Sequence, residues 1–522
     1  MGDKLNILLA MVSYMLIVIF IGVYYAKRSQ ENSKNYFLGG RSLGPWVAAM
    51  SAEASDMSGW LLMGLPGVAY WCGLADAAWT AIGLAIGTYV NWLLVSKRLR
   101  AYSVVSGDSI TVPDFLSNRF KEKKKLILGI SAIFILIFFT VYAASCFVTC
   151  GKLFAGLFQL PYHYMMIAGA IFVLLYTILG GFLAESVSDF MQSIVMIVAL
   201  VGVLGFGVVH AGGLNAVLEN LKNIPGFLSL TSIASPNTVD GVQQAVNGTP
   251  LFNEAGKYGF LTILSTMSWG LGYFGVPQVL LRFMAIRKTH ELKTSRRIAT
   301  AWVLISLTAA VCIGLMGRAI FPATASLATQ SSAENVFAQL SQLLFHPLLA
   351  GVVMAGILAA TISSSDSYLL IAASAVSKNL FEGIFKKNAT DKQVMTVSRV
   401  VLLLITLIGV GIAWNEESVI FEVVSFAWAG FGATFGPIIL FSLFWKRTTR
   451  WGAIAGMVAG GSMVFVWKLL LKPLGGVFGI YELLPAFLFS ALFIVAISLL
   501  TEKPSAEIQE EFEKARTYCE AD

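Results

Sequence analysis

Thirteen hydrophobic runs fill most of this sequence, and each is about long enough to cross a lipid bilayer. A spanning helix needs about 20 mainly apolar residues, and in lipid it must satisfy its backbone polar groups internally. The runs predict an all-α polytopic membrane protein, with irregular second, seventh and ninth spans. They lie near residues 5–26, 44–72, 75–96, 126–157, 162–182, 187–212, 257–281, 298–321, 343–377, 396–414, 419–445, 452–471 and 478–500.

The charged residues support this span count. Only 12% of the 522 residues are charged, about half the share of a soluble domain. Six segments, which follow odd-numbered spans or form the tail, hold 29 of the 36 Lys and Arg residues. They are 27–41, 97–125, 282–297, 378–399, 446–450 and 503–516. Because cytoplasmic loops are enriched in basic residues, we expect a multi-pass plasma-membrane protein with its N-terminus outside and its C-terminus in the cytoplasm. The net charge of +7 then reflects orientation in the bilayer, and no nucleic-acid partner is expected.

Span two carries carboxylates where its helix is weakest. The stretch from Ser51 to Gly67 contains Glu53 and Asp56. Helix-weakening residues follow at once, namely Gly59, Gly64, Pro66 and Gly67. A carboxylate near mid-bilayer costs roughly 2.5–3.5 kcal/mol even on the lenient insertion scale, whereas Gly and Pro destabilise a helix interior. A broken helix with a carboxylate is a typical binding place for a cation and a small solute.

Span seven is interrupted in the same way. It reads Ser-Trp-Gly-Leu-Gly-Tyr-Phe-Gly-Val-Pro from Ser268 to Pro277. It starts five spans after span two. Because each span reverses the direction of the chain and five is an odd number, two five-helix units that begin at spans two and seven have opposite orientations. Paired Gly/Pro-interrupted spans in inverted halves are the best sequence indication of a transporter's central site.

Span nine supplies complementary oxygen ligands. Residues 359–367 contain five hydroxyl side chains and Asp366, a combination that does not face lipid. Ser363 and Ser364 are adjacent, about 100° apart on a helix, so both can face one neighbouring helix. With freed carbonyls they form an oxygen cage suited to a hard monovalent cation. Serines that cap carbonyls or help helices to pack are the alternative.

Further polar and aromatic residues lie in the same spans. Asp189 lies at the inner end of span six. Three interpretations are open for it: a cytoplasmic gate, a second cation site or a plain interfacial carboxylate. Trp269, Tyr273 and Tyr142 offer ring faces and hydroxyls to a small amphipathic solute, or are core residues. No nucleotide-binding loop, zinc-ligand spacing or nucleophile elbow is present in the sequence. ATP-driven transport, an enzymatic activity and an organic cofactor are therefore not expected.

Several of these motifs together resemble one family of membrane transporters. They are Leu38-Gly-Gly-Arg-Ser-Leu-Gly-Pro45, Ala54 to Gly67, Gly180-Gly181 to Asp189, Trp269 to Pro277, and Arg447 with Gly452-Ala453. The set resembles the sodium/solute symporters, most closely the proline-transporting branch, over nearly the whole chain. This resemblance implies a LeuT-like fold of five plus five inverted helices, spans 2–6 and 7–11, with one extra N-terminal and two extra C-terminal helices.

The domain organisation follows from this expected fold. One transmembrane transporter domain is expected over 1–500, with repeat one at about 42–212 and repeat two at about 257–445. Between the repeats, the polar segment 213–256 is expected outside, as a lid or as a partly ordered loop. Residues 501–522 are expected to form a short cytoplasmic tail without a soluble catalytic domain, and no obligatory protein partner is evident.

The resemblance also implies roles for individual residues. It implies a sodium site formed by the carbonyls of Ala54, Met57 and Ala360 and the hydroxyls of Ser363 and Ser364, beside an essential carboxylate, Asp56. It associates L-proline binding or gating with Ser58, Gly59, Tyr142, Trp269, Tyr273 and Pro277. Arg41 matches a cytoplasmic-side residue linked to sodium-dependent transport, and we group it with Asp189 and Asp366 as a gate or second cation site. Sodium is the only metal expected.

The expected function is therefore secondary active transport, in which sodium drives L-proline into the cell by alternating access. Three residues depart from the family pattern: Glu53 replaces a small residue, and Ser364 and Ser188 each replace a threonine. Because Glu53 adds a titratable group beside the ion site, a proton contribution is an alternative to sodium alone. Another small solute, such as a betaine or pantothenate, is a second alternative. A transporter-like solute sensor is a third, which the short tail disfavours.

Overall fold

The computed structural model describes residues 2–29 and 33–521, and most of them are helical. Ten helices in this part of the chain are long and apolar enough to cross a membrane. Two shorter apolar helices, Trp60–Cys72 and Tyr162–Ile178, and the interrupted segment around residue 270 account for the other predicted spans. The protein is a multi-pass membrane protein, as the sequence predicted.

The helices follow one another along the chain. In the first half they are α1 (Gly2–Ser29), α2 (Ser33–Leu38), α3 (Pro45–Asp56), α4 (Leu65–Cys72), α5 (Leu74–Val105), α6 (Val112–Arg119), α7 (Leu126–Phe158), α8 (Tyr162–His210) and α9 (Leu214–Leu221). In the second half they are α10 (Phe260–Met267), α11 (Pro277–Ala285), α12 (Leu292–Ile320), α13 (Gln330–Ala333), α14 (Val336–Leu344), α15 (Pro347–Ser374), α16 (Asp391–Ile412), α17 (Ile420–Phe444), α18 (Arg450–Val466), α19 (Leu483–Leu500) and α20 (Ala506–Ala521).

The two faces of the bundle differ in what they carry. One face, called the loop face, carries α9 and three antiparallel strand pairs. The strands are β1 (Ser232–Ile233) with β6 (Gly256–Lys257), β2 (Thr238–Val239) with β3 (Val242–Gln243), and β4 (Ala245–Val246) with β5 (Thr249–Pro250). The opposite face, called the tail face, carries α20. Helix α5 connects the two faces: the Leu74 amide donates to the Phe227 carbonyl (2.8 Å) at the loop face, and Arg100 Nε donates to the Ile286 carbonyl (2.8 Å) at the tail face.

Two membrane crossings are interrupted and run in opposite directions. Helix α3 starts at the tail face, and the chain leaves helical geometry at Met57 (φ −90°, ψ 79°). It resumes as a π-helical turn, Trp60–Gly64, before α4. Helix α10 starts at the loop face and continues through a 3-10 segment, Ser268–Phe274, before α11. The prolines expected to interrupt these spans lie at the first turns of α4 and α11, where a missing N–H is tolerated.

Span nine is irregular only at its end, and its serine run is regular helix. Helix α15 is continuous from Pro347 to Ser374, and only the next segment, Ala375–Phe385, is π-helical. Residues 353–375 are all buried. The hydroxyls of Thr361 and Ser365 donate to carbonyls one turn earlier, at 2.7 and 2.6 Å. Because such bonds satisfy the hydroxyl protons locally, the polar run stays helical inside the bundle.

Helix α20 is folded against the tail face. Its Phe512 is buried. Lys121, in the connection before α7, forms ion pairs with Glu507 (3.0 Å) and Glu511 (2.7 Å). These two carboxylates raise the pKa of the Lys121 ammonium by hydrogen bonding to its charged form. The charged tail is therefore a docked helix and not an extended segment.

Candidate functional site

The interruption between α3 and α4 lies against the serine run of α15. The freed Ala54 carbonyl accepts hydrogen bonds from the Ser363 hydroxyl (2.8 Å) and the Ser364 hydroxyl (3.2 Å). The Ser363 hydroxyl also lies 3.1 Å from the Ala360 carbonyl. Four of the oxygen-bearing groups predicted for the sodium site therefore meet at one crossing of two helices. A cage of neutral oxygens of this kind suits a monovalent cation.

Met57 and Asp56 lie at the end of α3 beside this crossing. Met57 adopts the non-helical conformation that ends α3, and its amide donates to the Glu53 carbonyl at 2.9 Å. Asp56 is fully buried, and one carboxylate oxygen, Oδ1, has no hydrogen-bond partner. Asp56 thus places a buried carboxyl group two residues beyond the Ala54 carbonyl of the oxygen cage.

The second Asp56 oxygen joins the two interrupted spans. The Tyr273 hydroxyl donates to Asp56 Oδ2 at 2.6 Å. On the other side, the Tyr142 hydroxyl donates to the Asp56 backbone carbonyl at 3.2 Å. The rings of Trp60 and Trp269, one from each interruption, lie 6.0 Å apart between centroids. The predicted ion-site and solute-site residues therefore form one continuous polar and aromatic centre.

Trp269 forms the boundary between this centre and a cavity of about 520 Å³ at the loop face. Trp269 contacts Phe421 (5.1 Å between centroids), Trp428 (6.1 Å) and Tyr481 (5.3 Å). The Trp428 indole N–H donates to the Trp269 carbonyl at 2.8 Å. An aromatic wall of this type suits the apolar part of a small amphipathic solute.

The other predicted solute residues differ in their surroundings. Ser58 is buried, and its hydroxyl has no partner. A Cβ on Gly59 would lie only 2.4 Å from the Thr149 hydroxyl, so α7 approaches the break at a distance that only glycine permits. Pro277 instead lines a separate small cavity with Thr111 and Asn379.

Glu53 lies one turn before Asp56 on α3 and is also buried. The Trp92 indole N–H donates to Glu53 Oε1 at 3.2 Å, whereas Oε2 has no partner. Glu53 therefore adds a second buried carboxylate near the ion crossing. The sequence indicated this group but not its tryptophan partner.

Asp189 belongs to a fully buried charged cluster one helical turn from the ion crossing. Arg282 of α11 donates to Asp189 Oδ2 (3.1 Å) and to Glu185. The Ser51 hydroxyl donates to Asp189 Oδ2 at 2.7 Å, and Arg282 Nη2 donates to the Ser367 hydroxyl at 3.0 Å. We call Arg282, Glu185, Asp189, Ser51 and Ser367 the arginine cluster. It joins α3 and α11 to α8 and α15.

Asp366 lies beside the arginine cluster. Its Oδ1 accepts the Ser367 amide at 2.8 Å, and its Oδ2 has no partner. Arg282 thus lies among three buried carboxyl groups, and it directly contacts two of them, Glu185 and Asp189.

Sequence reasoning missed the centre of this cluster. Arg282 was counted with the basic loop 282–297, but the structure buries it completely. That assignment was wrong because Arg282 is in the last turn of α11, inside the bundle. The available signal was a single arginine between two apolar runs, Val279–Leu281 and Phe283–Ala285.

A second missed ion pair lies toward the loop face. Lys152 Nζ lies 2.8 Å from Glu334 Oε2. The Glu334 oxygens accept the amides of Ile420 and Phe421 at 3.0 Å each. This pair connects α7 and the α13–α14 connection to the N-terminus of α17, and Glu334 lines the 520 Å³ cavity.

Arg41 closes the tail face. Its guanidinium donates to Asp108 Oδ1 (3.0 Å), the Ser109 carbonyl (2.7 Å) and the Met284 carbonyl (2.6 Å). Burial lowers the pKa of the Arg41 guanidinium, and the Asp108 carboxylate opposes this effect. Arg41 therefore ties the start of span two to α11 and to the α5–α6 connection.

Comparison with known sequences identifies relatives over almost the whole chain. A family model described as "Sodium:solute symporter family" matches residues 36–460. The sodium/proline symporter of Escherichia coli (strain K12) is 41% identical over 508 residues, which cover 97% of this chain and 95% of that protein. The sodium/proline symporter of Staphylococcus aureus (strain USA300 / TCH1516) is 40% identical over 509 residues, covering 96% of this chain and 94% of that protein.

Solved structures show the same fold. A Na⁺-coupled sialic acid symporter in a substrate-bound outward-open state superposes with a TM-score of 0.74 at 16% identity, covering 96% of this chain and 99% of that chain. Mhp1, a nucleobase-cation-symport-1 family transporter in a closed conformation, gives 0.51 at 15% identity, covering 93% and 100%. These likenesses confirm the predicted LeuT-like fold.

Proposed function

The chain belongs to the sodium:solute symporter family, and on this premise we propose that it carries L-proline into the cell together with sodium. It is a transporter and not an enzyme. The family name implies sodium as the co-transported ion, and the relatives named above imply proline as the solute.

One observation carries the ion part of the proposal. The Ala54 carbonyl at the α3 break meets the hydroxyls of Ser363 and Ser364 on α15. Ala54, Met57, Ala360, Ser363 and Ser364 hold the sodium ion, and Asp56 stabilises its charge. A bound cation joins α3 to α15 and orders the break, so ion binding organises the neighbouring solute site.

The solute part rests on the link between the two breaks. Tyr273 of the second break bonds to Asp56 of the first. Ion binding that orders the first break therefore also positions Tyr273 and the neighbouring Trp269. Ser58, Gly59 and Tyr142 border the same centre. Proline binds there with its ring against the aromatic faces, and Pro277 starts the helix below it.

The two ends of the bundle differ, since one holds a cavity and the other is tied by side-chain contacts, and this difference is the basis of the proposed alternating access. The loop face, which we place outside with the N-terminus, opens into the 520 Å³ cavity. The tail face, which we place in the cytoplasm with the C-terminus, is closed by Arg41 and by the arginine cluster. Inward release requires these inner contacts to open after sodium and proline have bound.

The sodium gradient supplies enough free energy for uptake. One charge that moves through ~100 mV releases ~2.3 kcal/mol, and a tenfold sodium gradient adds ~1.4 kcal/mol. The total of about 3.7 kcal/mol supports an accumulation on the order of several hundred-fold at one-to-one stoichiometry.

Uptake by the purified protein in proteoliposomes tests the proposal. An imposed inward sodium gradient is expected to drive radiolabelled L-proline accumulation, and a potassium gradient of the same size is not. Proline uptake that does not depend on the sodium gradient would show that sodium is not the coupled ion. Sodium-driven accumulation of a radiolabelled betaine or pantothenate, but not of proline, would change the solute, and a lack of counterflow exchange would favour a sensor.

A further inference from the structure

The connection between α18 and α19 reaches over the candidate solute site. Residues 467–482 leave α-helical geometry in three short turns at the loop face. Their single tyrosine, Tyr481, stacks on Trp269 with 5.3 Å between ring centroids and 22° between ring planes. This segment lies beyond residue 460, where the family match ends, and beyond the inverted repeats.

Tyr481 is held in place from three directions. Its hydroxyl donates to the Ser425 carbonyl of α17 at 2.6 Å, and its amide donates to the Ser265 hydroxyl of α10 at 2.7 Å. The next residue, Glu482, is fully buried and lies 3.1 Å from Lys472. The ring position is therefore fixed against both the second interrupted span and α17.

Tyr481 and Trp269 line the same cavity as Cys72 and Phe421. Tyr481 and Phe421 contact the Trp269 ring at 5.3 and 5.1 Å, and Trp60 and Trp428 contact it at 6.0 and 6.1 Å. A solute that enters from the loop face must pass the Tyr481–Trp269 pair. The geometry thus makes Tyr481 a cover over Trp269.

We propose that Tyr481 is a positioning residue of the outer gate, which holds Trp269 over the solute site and slows escape of the bound solute toward the loop face. This inference rests on the proposed symport for its substrate. The cover itself is supplied by the two C-terminal helices, outside the ten-helix repeat unit.

Uptake kinetics of three Tyr481 variants test the stacking contact. An aromatic pair is worth about 0.5–1.5 kcal/mol beyond its buried area, so Tyr481→Ala is expected to raise the proline KM by roughly three- to tenfold. Tyr481→Leu, which refills the volume without a ring, is expected to behave like alanine. Tyr481→Phe keeps the stack and is expected to recover most of the loss. A phenylalanine variant as weak as alanine would overturn the stacking role.

The native thiol of Cys72 gives a readout that does not need transport. Cys72 is half-buried and lines the same cavity as Tyr481 and Trp269. A membrane-impermeant maleimide is expected to label Cys72 roughly three- to tenfold faster in Tyr481→Ala, because the same contact is lost. A Cys312→Ala background removes the other half-buried thiol, and Cys72→Ser measures residual labelling.

The two readouts separate failure of the cover from failure of the proposed function. Unchanged Cys72 labelling in Tyr481→Ala and Tyr481→Leu would overturn the cover, whatever the solute. Faster labelling in a protein that shows no proline uptake would support the cover and reject proline as the solute. Sodium with proline is expected to slow Cys72 labelling in the unmodified protein and to slow it less in Tyr481→Ala.

Discussion

Two buried polar regions lie one helical turn apart on the same two helices, and they differ in what balances their carboxylates. At the ion crossing, the Ser363 hydroxyl bonds to the Ala54 carbonyl, and no Lys or Arg of the described residues is hydrogen-bonded to either group. One oxygen of Asp56 has no partner. In the arginine cluster, Ser51 and Ser367 belong to the same helices, but Arg282 supplies a permanent positive charge.

This difference separates a site for a mobile ion from a fixed contact. A guanidinium stays charged and bonds two carboxylates in a set geometry, so the arginine cluster holds α11 and α3 against α8 and α15. Neutral oxygens beside one carboxylate have no such internal cation, so an ion from solution completes them. The two regions therefore predict opposite responses to mutation.

Removal of Arg282 is expected to give the largest effect and to act on stability. Arg282→Met leaves Glu185 and Asp189 buried without a counter-charge, which costs about 3–5 kcal/mol. Since natural domains have about 5–15 kcal/mol of stability, the folded yield should fall sharply. Thermal unfolding of the purified protein, followed by tryptophan fluorescence, measures the loss.

Arg318 provides a matched control for this prediction. It is equally buried, but it donates to the Tyr70 and Pro322 carbonyls at 3.0 Å and contacts the Tyr70 ring. No carboxylate is stranded when it is removed, so Arg318→Met is expected to lower Tm less. An equal loss of Tm in both variants would show that the stability depends on the burial of an arginine and not on its pairing with carboxylates.

Asp56→Asn is expected to give the largest effect on ion binding. The substitution keeps the size of the side chain and an acceptor for Tyr273 but removes the charge beside the oxygen cage. Loss of one partner of a buried charge pair costs about 2 kcal/mol or more, so the sodium concentration for half-maximal uptake should rise about 30-fold. Proline binding at saturating sodium should weaken much less. An equal loss of both would make Asp56 a structural residue.

The sequence predicted the breaks and the fold because their signals are local. Gly and Pro in spans two and seven weaken those helices wherever the rest of the chain lies, and the hydrophobic run lengths set the number of spans. Asp56 and the span-nine serines were also identifiable, because buried polar groups in a membrane helix are costly.

The contacts between distant spans were not predictable in the same way. Arg282 looked like the first residue of a basic loop, and only the tertiary fold brings its guanidinium beside Glu185 and Asp189 of α8. Tyr481 and Trp92 carried no signal, because single aromatic residues are common in membrane proteins. Their partners depend on tertiary packing.

The two serines of the ion crossing should show smaller effects on the same measurement. Ser363→Ala and Ser364→Ala each remove one neutral oxygen ligand, worth about 1 kcal/mol as a hydrogen-bonding group. Each is expected to raise half-maximal sodium about fivefold while Tm stays nearly constant. Ser365→Ala is the matched control, since its hydroxyl bonds within its own helix. A large loss of Tm in Ser363→Ala, or an equal sodium effect in Ser365→Ala, would contradict the assignment.

Glu53 should give the smallest effect and tests whether protons act at the ion crossing. Protonation of this carboxylate removes a negative charge one turn from Asp56, so half-maximal sodium should rise as pH falls. Two charges within one helical turn interact by about 1 kcal/mol, so the change is expected to be less than about fivefold between the lowest and the highest pH at which uptake is measured. Glu53→Gln keeps an acceptor for Trp92 and should abolish this pH dependence. If the glutamine variant retains the same pH profile, sodium alone occupies the crossing, and Glu53 belongs with the fixed contacts of the fold.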